Sequence, residues 1–191
     1  LSQALPVSER AWKAEGSRMF IDPKTPVTVN ELLQGMITQS GNDASIALAE
    51  SIAGSEDAFV DLMNKQAQAL GLKNSHFKNA TGLPHAEHYS TAADIGRLAA
   101  ALIRDFPDRY PLYGVKEYRY NNIAQFNRNR LLWTDPSVDG MKTGYTENAG
   151  YCLVTSARRG ERRLVSVVLG TASEAMRAAE SQKLLNYGFQ A

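Results

Sequence analysis

Two short stretches carry side chains whose types and spacing could do chemistry. In "MITQSGNDAS" the hydroxyl of Ser40 stands two positions before the carboxamide of Asn42, with Gly41 as a hinge, where an apolar helical run ends. Such a triplet can cap a helix or form one wall of a catalytic cleft. In "VDGMKTGYTENAGY" the triplet Lys142, Thr143 and Gly144 follows an Asp139-Gly140 turn. Lysine supplies positive charge, the threonine hydroxyl can bind a carboxylate, and glycine lets a substrate backbone approach a strand edge closely. Alone, each triplet is common, and a helix cap or a solvated strand end accounts for it.

The elements that must position these residues follow from local pattern. Thr28 and Glu31 stand at capping-box spacing, and Leu32, Leu33, Met36 and Ile37 share one face, so the chain predicts a helix that delivers Ser40 at its C-terminal end. "DASIALAESIAG" reads as an Ala-rich helix stopped by Gly54, and "SEDAFVDLMNKQAQALG" as an amphipathic helix stopped by Gly71. Residues 72–89 read as loop; Ser90 or Thr91 then caps "AADIGRLAAALIRDF", which Pro107 ends. From about residue 113 the character changes. "KEYRYNN" alternates, "GYCLVTSARRGERRLVSVVLGT" reads as two β runs joined by a turn, and "SEAMRAAESQKLLNYG" closes with a capped helix. Residues 1–26 read as irregular, with one short strand or helix. Helices, then an antiparallel hairpin, then a helix predict an α+β fold in one domain of 191 residues.

Composition narrows the function. Lys and Arg number 21 against 20 Asp and Glu, so no field favours nucleic acid or an anionic membrane as partner. The basic turn "SARRGERR" has no aromatic stacking residues beside it and reads as a solvated hairpin. Cys152 is the only cysteine, read as a buried, inert thiol. His85 and His88 follow Pro84 in a loop with no suitable third ligand, so neither a metal nor a cofactor is expected.

The two triplets together, in this order, with an Ala-rich helical region between them and a hairpin and terminal helix behind, are far less common than either alone. From these residues the chain resembles the low-molecular-mass penicillin-binding proteins, and most closely the serine D-alanyl-D-alanine carboxypeptidases of the penicillin-binding protein 5/6 type. The likeness runs through "LLQGMITQSGNDASIALAE", "ALGLKNSHFKNATGL", "YSTAADIGRLAAALIRDFP", "NRNRLLW", "VDGMKTGYTENAGY" and "ESQKLLNYGF". It implies a β-lactamase/transpeptidase-like fold, an antiparallel sheet flanked by helices.

By the same resemblance, Ser40 relays a proton near the leaving group and Asn42 holds the substrate peptide. Lys142 supports the relay electrostatically, and Thr143 binds the terminal carboxylate of a stem peptide ending in D-Ala-D-Ala. Gly144 admits the peptide backbone, and the Tyr145 N–H serves an oxyanion hole. Relatives often carry His after the Lys-Thr-Gly, so the resemblance assigns the Tyr145 side chain no role. Arg177, in the helix after the last strand, falls where the family carries a carboxylate-binding arginine.

The third element of the family, a helix-borne Ser-x-x-Lys that supplies nucleophile and base, is missing. Ser75 to Lys78 has the spacing but lies in loop and after the Ser-Gly-Asn. The resemblance therefore implies a transpeptidase-like domain over 1–191 that lacks its N-terminal segment, with a C-terminal β-rich domain and an amphipathic membrane anchor outside the chain. The implied partners are peptidoglycan stem peptides and β-lactams, and the implied place is the periplasm, at the outer face of the cytoplasmic membrane. A class A β-lactamase would need a deacylating carboxylate, and Glu87, in the loop between the triplets, is followed four residues later by Thr91 rather than by Asn. A non-catalytic muropeptide-binding or β-lactam-binding module remains as the reading from another class.

Overall fold

A computed structural model describes all 191 residues, Leu1–Ala191. The chain divides into two compact units, each assembled from separated stretches. The first takes Leu1–Gln68, His76–Tyr89 and Val115–Asn127, and the second Ala69–Ser75, Ser90–Gly114 and Arg128–Ala191.

The first unit begins with strand β1 (Ala4–Leu5), helix α1 (Glu9–Trp12) and strand β2 (Val27–Thr28). So the opening stretch read as irregular holds both a short strand and a short helix, and β1 pairs antiparallel with β2 just beyond that stretch. Helix α2 (Val29–Thr38) starts at the predicted capping box: Thr28 Oγ1 accepts from Glu31 N at 3.2 Å while Glu31 Oε2 accepts from Thr28 N at 2.8 Å. Helix α3 (Asn42–Ala53) stops at Gly54, whose φ of 90° glycine tolerates best, and α4 (Glu56–Ala69) follows. A hairpin of β3 (Glu117–Tyr120) and β4 (Ile123–Phe126) completes the unit. Val7, Ala11, Met19, Ile21, Val27, Leu32, Ala44, Ala47 and Tyr120 form its core.

Between α2 and α3 the chain must reverse, and a carboxylate fixes how. Asp43 is almost wholly buried, and its oxygens accept from Met19 N and Ala44 N at 2.9 Å, Phe20 N at 2.9 Å and Ile21 N at 3.1 Å. The segment 19–21 is thereby tied to the first turn of α3, and the bonds satisfy donors that would otherwise be buried without partners. Gly35 on α2 lies so close to Met19 that a Cβ there would overlap its side chain.

In the second unit, helix α5 (Ala92–Asp105) is capped by Thr91 Oγ1, which accepts from Asp94 N. A 3₁₀ turn (Tyr110–Gly114) and a short helix α6 (Leu131–Thr134) lead to strands β5 (Val138–Thr146), β6 (Gly150–Arg159) and β7 (Arg162–Thr171), then to helix α7 (Glu174–Gln190). The strands make one antiparallel sheet in the order β5-β6-β7, which leaves β5 at an edge. Alternation places Leu153, Ala157 and Leu164 with Leu185 of α7, and Val154 and Val165 with Ala99 of α5, so each face of the sheet carries a helix.

Three expectations are corrected here. Asp139 and Gly140 do not form a turn but lie inside β5, at a register shift between Val138 and Gly140. The reason is tertiary. Arg163 on β7 grips Asp139 with two bonds of 2.8 Å, Tyr110 donates to the same carboxylate at 2.7 Å, and Gly140 sits against the Tyr110 hydroxyl with no room for a Cβ. The "SARRGERR" hairpin is likewise not simply solvated, since Arg159 pairs with Asp135 at 3.2 Å and stacks on Phe189. Cys152 is half-buried rather than buried, because its cross-strand partner is Gly144, which has no side chain to cover it.

Asp43→Ala leaves buried backbone donors without an acceptor and should lower the unfolding free energy by about 3 kcal/mol or more. Urea denaturation measures this, and a loss below about 1 kcal/mol would remove Asp43 as the tie.

Candidate active site

Ser40 and Asn42 belong to the first unit. Helix α2 ends at Thr38, and the chain turns through Ser40, whose φ of 57° is left-handed; Gly41 N donates back to Gly35 O at 3.1 Å. Asn42 is buried. Its Nδ2 donates to Glu15 O at 2.7 Å and its backbone N–H to Ser17 O at 2.8 Å, which orients the carboxamide. Gly16 makes this possible: its φ is 79°, and a Cβ would stand 2.7 Å from Asn42 Nδ2. The Ser-Gly-Asn turn is thus held from one side by backbone of residues 15–17 and from the other by Asp43.

Lys142, Thr143, Gly144, Tyr145 and Arg177 belong to the second unit, which brings them to one edge of the sheet. Lys142 Nζ donates to Thr143 O at 2.7 Å. Burial, with repulsion from Arg128 and Arg177, pushes the Lys142 ammonium down to about 8. Thr143 is buried, whereas Gly144 is exposed, and a Cβ built on it would approach only Cys152, at 4.0 Å. The strand edge at Gly144 is therefore open to another backbone.

Arg177, from the first turn of α7, is 3% exposed. Its Nη1 donates to Gly144 O at 3.4 Å, and no carboxylate stands within ion-pair distance of it. Burial lowers the guanidinium's affinity for its proton, the Glu174 carboxylate in the same helix turn opposes this, and Arg128 adds like-charge repulsion. A desolvated cation that makes no direct ion pair, beside Lys142, makes this edge suited to an anion.

The remaining candidates are committed elsewhere. Ser75 Oγ donates to Asp94 Oδ2 at 2.7 Å, and Lys78 pairs with Glu87 at 3.5 Å; neither stands on a helix. Nδ1 of His85 accepts from Glu87 N and Nδ1 of His88 from Lys78 N, as loop-forming contacts. Sequence reasoning missed three residues that shape the site: Asp43, Asp139 and Arg128. Two of them, Asp43 and Asp139, stand within a few residues of the triplets, and that adjacency was the available signal.

Comparison with known proteins gives a consistent result. The family model described as D-alanyl-D-alanine carboxypeptidase matches residues 1–173. The chain is 50% identical over 175 residues to the D-alanyl-D-alanine carboxypeptidase DacA of Escherichia coli K12, covering 91% of this chain and 43% of that one. It is 47% identical over 197 residues to DacC of the same organism, covering 100% and 49%. The chain therefore spans about half the length of these curated relatives. Among solved structures it is similar to penicillin binding protein 5 from Haemophilus influenzae, with a TM-score of 0.96 and 45% identity over 99% of this chain and 56% of that one. It is also similar to the Streptomyces K15 DD-transpeptidase, with a TM-score of 0.94 and 27% identity over 100% and 80%. The α+β transpeptidase-like fold expected from the sequence is the fold of these neighbours.

The depressed Lys142 pKa has a measurable sign. An unfolded lysine titrates near 10.4, so between about 8 and that value the unfolded chain binds more protons than the folded one, and stability should rise with pH across this window. Lys142→Met should flatten the rise. An NMR titration placing the Lys142 midpoint above about 10 would contradict the assignment.

Proposed function

This chain belongs to the D-alanyl-D-alanine carboxypeptidase family, and on that premise we propose that it forms the substrate-recognising walls of a serine-type enzyme that removes the terminal D-Ala from peptidoglycan pentapeptides. The nucleophilic serine and its lysine lie outside these 191 residues. The serine Oγ gives its proton to that lysine and attacks the carbonyl carbon of the penultimate D-Ala, the C–N bond breaks, the leaving amine takes a proton through Ser40, and D-Ala departs. Water then cleaves the acyl-enzyme ester, and β-lactams acylate the same serine.

In this reading Asn42 holds the peptide and Lys142 favours the relay by its charge. Thr143 and Arg177 bind the terminal carboxylate, Gly144 admits the peptide backbone, and Tyr145 N–H faces the developing oxyanion. The enzyme acts outside the cytoplasmic membrane, held at its outer face by a segment beyond this chain. The observation that supports the reading most is the buried Arg177, without an ion pair, hydrogen-bonded to Gly144 of the Lys-Thr-Gly edge strand. A substrate carboxylate is the counterion such an arginine lacks.

In the full-length protein that carries this chain, Lys142→Ala should lower kcat/KM for a D-Ala-D-Ala peptide on the order of 10²-fold. A loss under about threefold with the fold intact would remove Lys142 from the reaction. Arg177→Ala should raise KM for peptides ending in a free carboxylate by roughly 10- to 100-fold while hardly changing that for amidated analogues. Equal losses on both would make Arg177 structural.

A further inference from the structure

Arg177 is oddly held for a residue with a specific task. The guanidinium makes one hydrogen bond, the 3.4 Å contact to Gly144 O, which alone leaves its plane free to swing. What stands beside it is a ring: the Arg177 guanidinium carbon lies 5.4 Å from the centroid of Tyr151. Tyr151 in turn stacks on Tyr145, with centroids 4.2 Å apart and planes inclined by 29°. The two tyrosines are direct partners across β5 and β6, so the stack is fixed by strand register.

The backbone repeats the connection. Thr171 Oγ1 donates to Tyr151 O at 2.9 Å and lies 3.2 Å from Ser173 O, and Ser173 is the residue that caps α7 one turn before Arg177. The helix bearing the arginine and the strand bearing the ring are therefore tied at both main chain and side chain. A planar guanidinium over an aromatic face gains cation–π attraction and keeps its donor edge free for a carboxylate, which a buried ion pair would not allow.

We propose that the Tyr145–Tyr151 stack aims Arg177, making both tyrosines positioning residues that set the preference for a free terminal carboxylate over an amide. The proposal rests on the carboxypeptidase reading above and assigns the Tyr145 side chain a task separate from its backbone N–H. Tyr145 is 53% exposed, so the stack, rather than burial, is what its ring contributes.

The test uses the full-length protein and two peptides, one ending in D-Ala-D-Ala as the free acid and the other as its C-terminal amide. Tyr145→Ala and Tyr151→Leu should each reduce the acid-to-amide ratio of kcat/KM by about 3- to 30-fold, mainly through KM on the acid. Tyr145→Phe and Tyr151→Phe, which keep the rings, should stay within about twofold of wild type. If Tyr151→Leu does not fold, as judged by its melting curve, the exposed Tyr145→Ala decides alone. An unchanged ratio in Tyr145→Ala, or equal losses on both peptides, overturns the positioning role while leaving the carboxypeptidase reading in place. A wild-type protein that turns over neither peptide overturns that reading itself, and the inference with it.

Discussion

Four backbone N–H groups, from Met19, Phe20, Ile21 and Ala44, converge on the buried carboxylate of Asp43, and the geometry of the Ser-Gly-Asn turn depends on that convergence. Without it the α2–α3 reversal would rest on the left-handed Ser40 and a glycine, a conformation that costs free energy unless its surroundings enforce it. With it, residues 15–21 are bound to the start of α3, and Asn42 finds the Glu15 carbonyl already in place. The second unit uses a related device. Asp139 stands three residues before Lys142 and is gripped by Arg163 and Tyr110, which fixes the start of the edge strand from the far side of the sheet. Each triplet is thus anchored by a neighbouring aspartate through charge-assisted bonds, the stronger class of hydrogen bond.

The two anchors leave the recognition residues with different electrostatic surroundings. The three side chains of the Ser-Gly-Asn turn carry no charge, and Asn42 is held by the carbonyls of Glu15 and Ser17. By the edge strand, burial first and then the charges of Arg128 and Arg177 depress the Lys142 pKa, and burial depresses that of Arg177. Arg177 itself has no paired carboxylate, so a substrate anion could supply one. That agrees with the proposed binding of a substrate carboxylate.

How much of this could be read from the sequence depended on the range of the interaction. Caps are local, so Thr28, Thr91 and Ser173 could be picked out, with a choice of two residues at the second; the glycine stop at Gly54 could be read in the same way. The fold followed from the order of helical and alternating patterns, and the triplets and Arg177 from resemblance. Long-range choices were not legible. Asp139-Gly140 has the composition of a turn, and it takes the distant Arg163 and Tyr110 to hold it as strand. Asp43 reads as an ordinary first-turn acid until segment 19–21 is laid over it. Cys152 looks apolar enough to bury, but exposure there is decided by the glycine across the strand. The Tyr145–Tyr151 stack required the β5–β6 register, which no local signal fixes.

The proposal is that this chain carries recognition residues of a serine carboxypeptidase but not its nucleophile. Intact-mass measurement after incubation with benzylpenicillin addresses it directly, on these 191 residues alone and on the full-length protein. The account predicts no stoichiometric acyl adduct on the isolated chain, and a single adduct on the full-length protein that maps outside residues 1–191. A stoichiometric adduct on the isolated chain, mapped to Ser40 or Ser75, would contradict it.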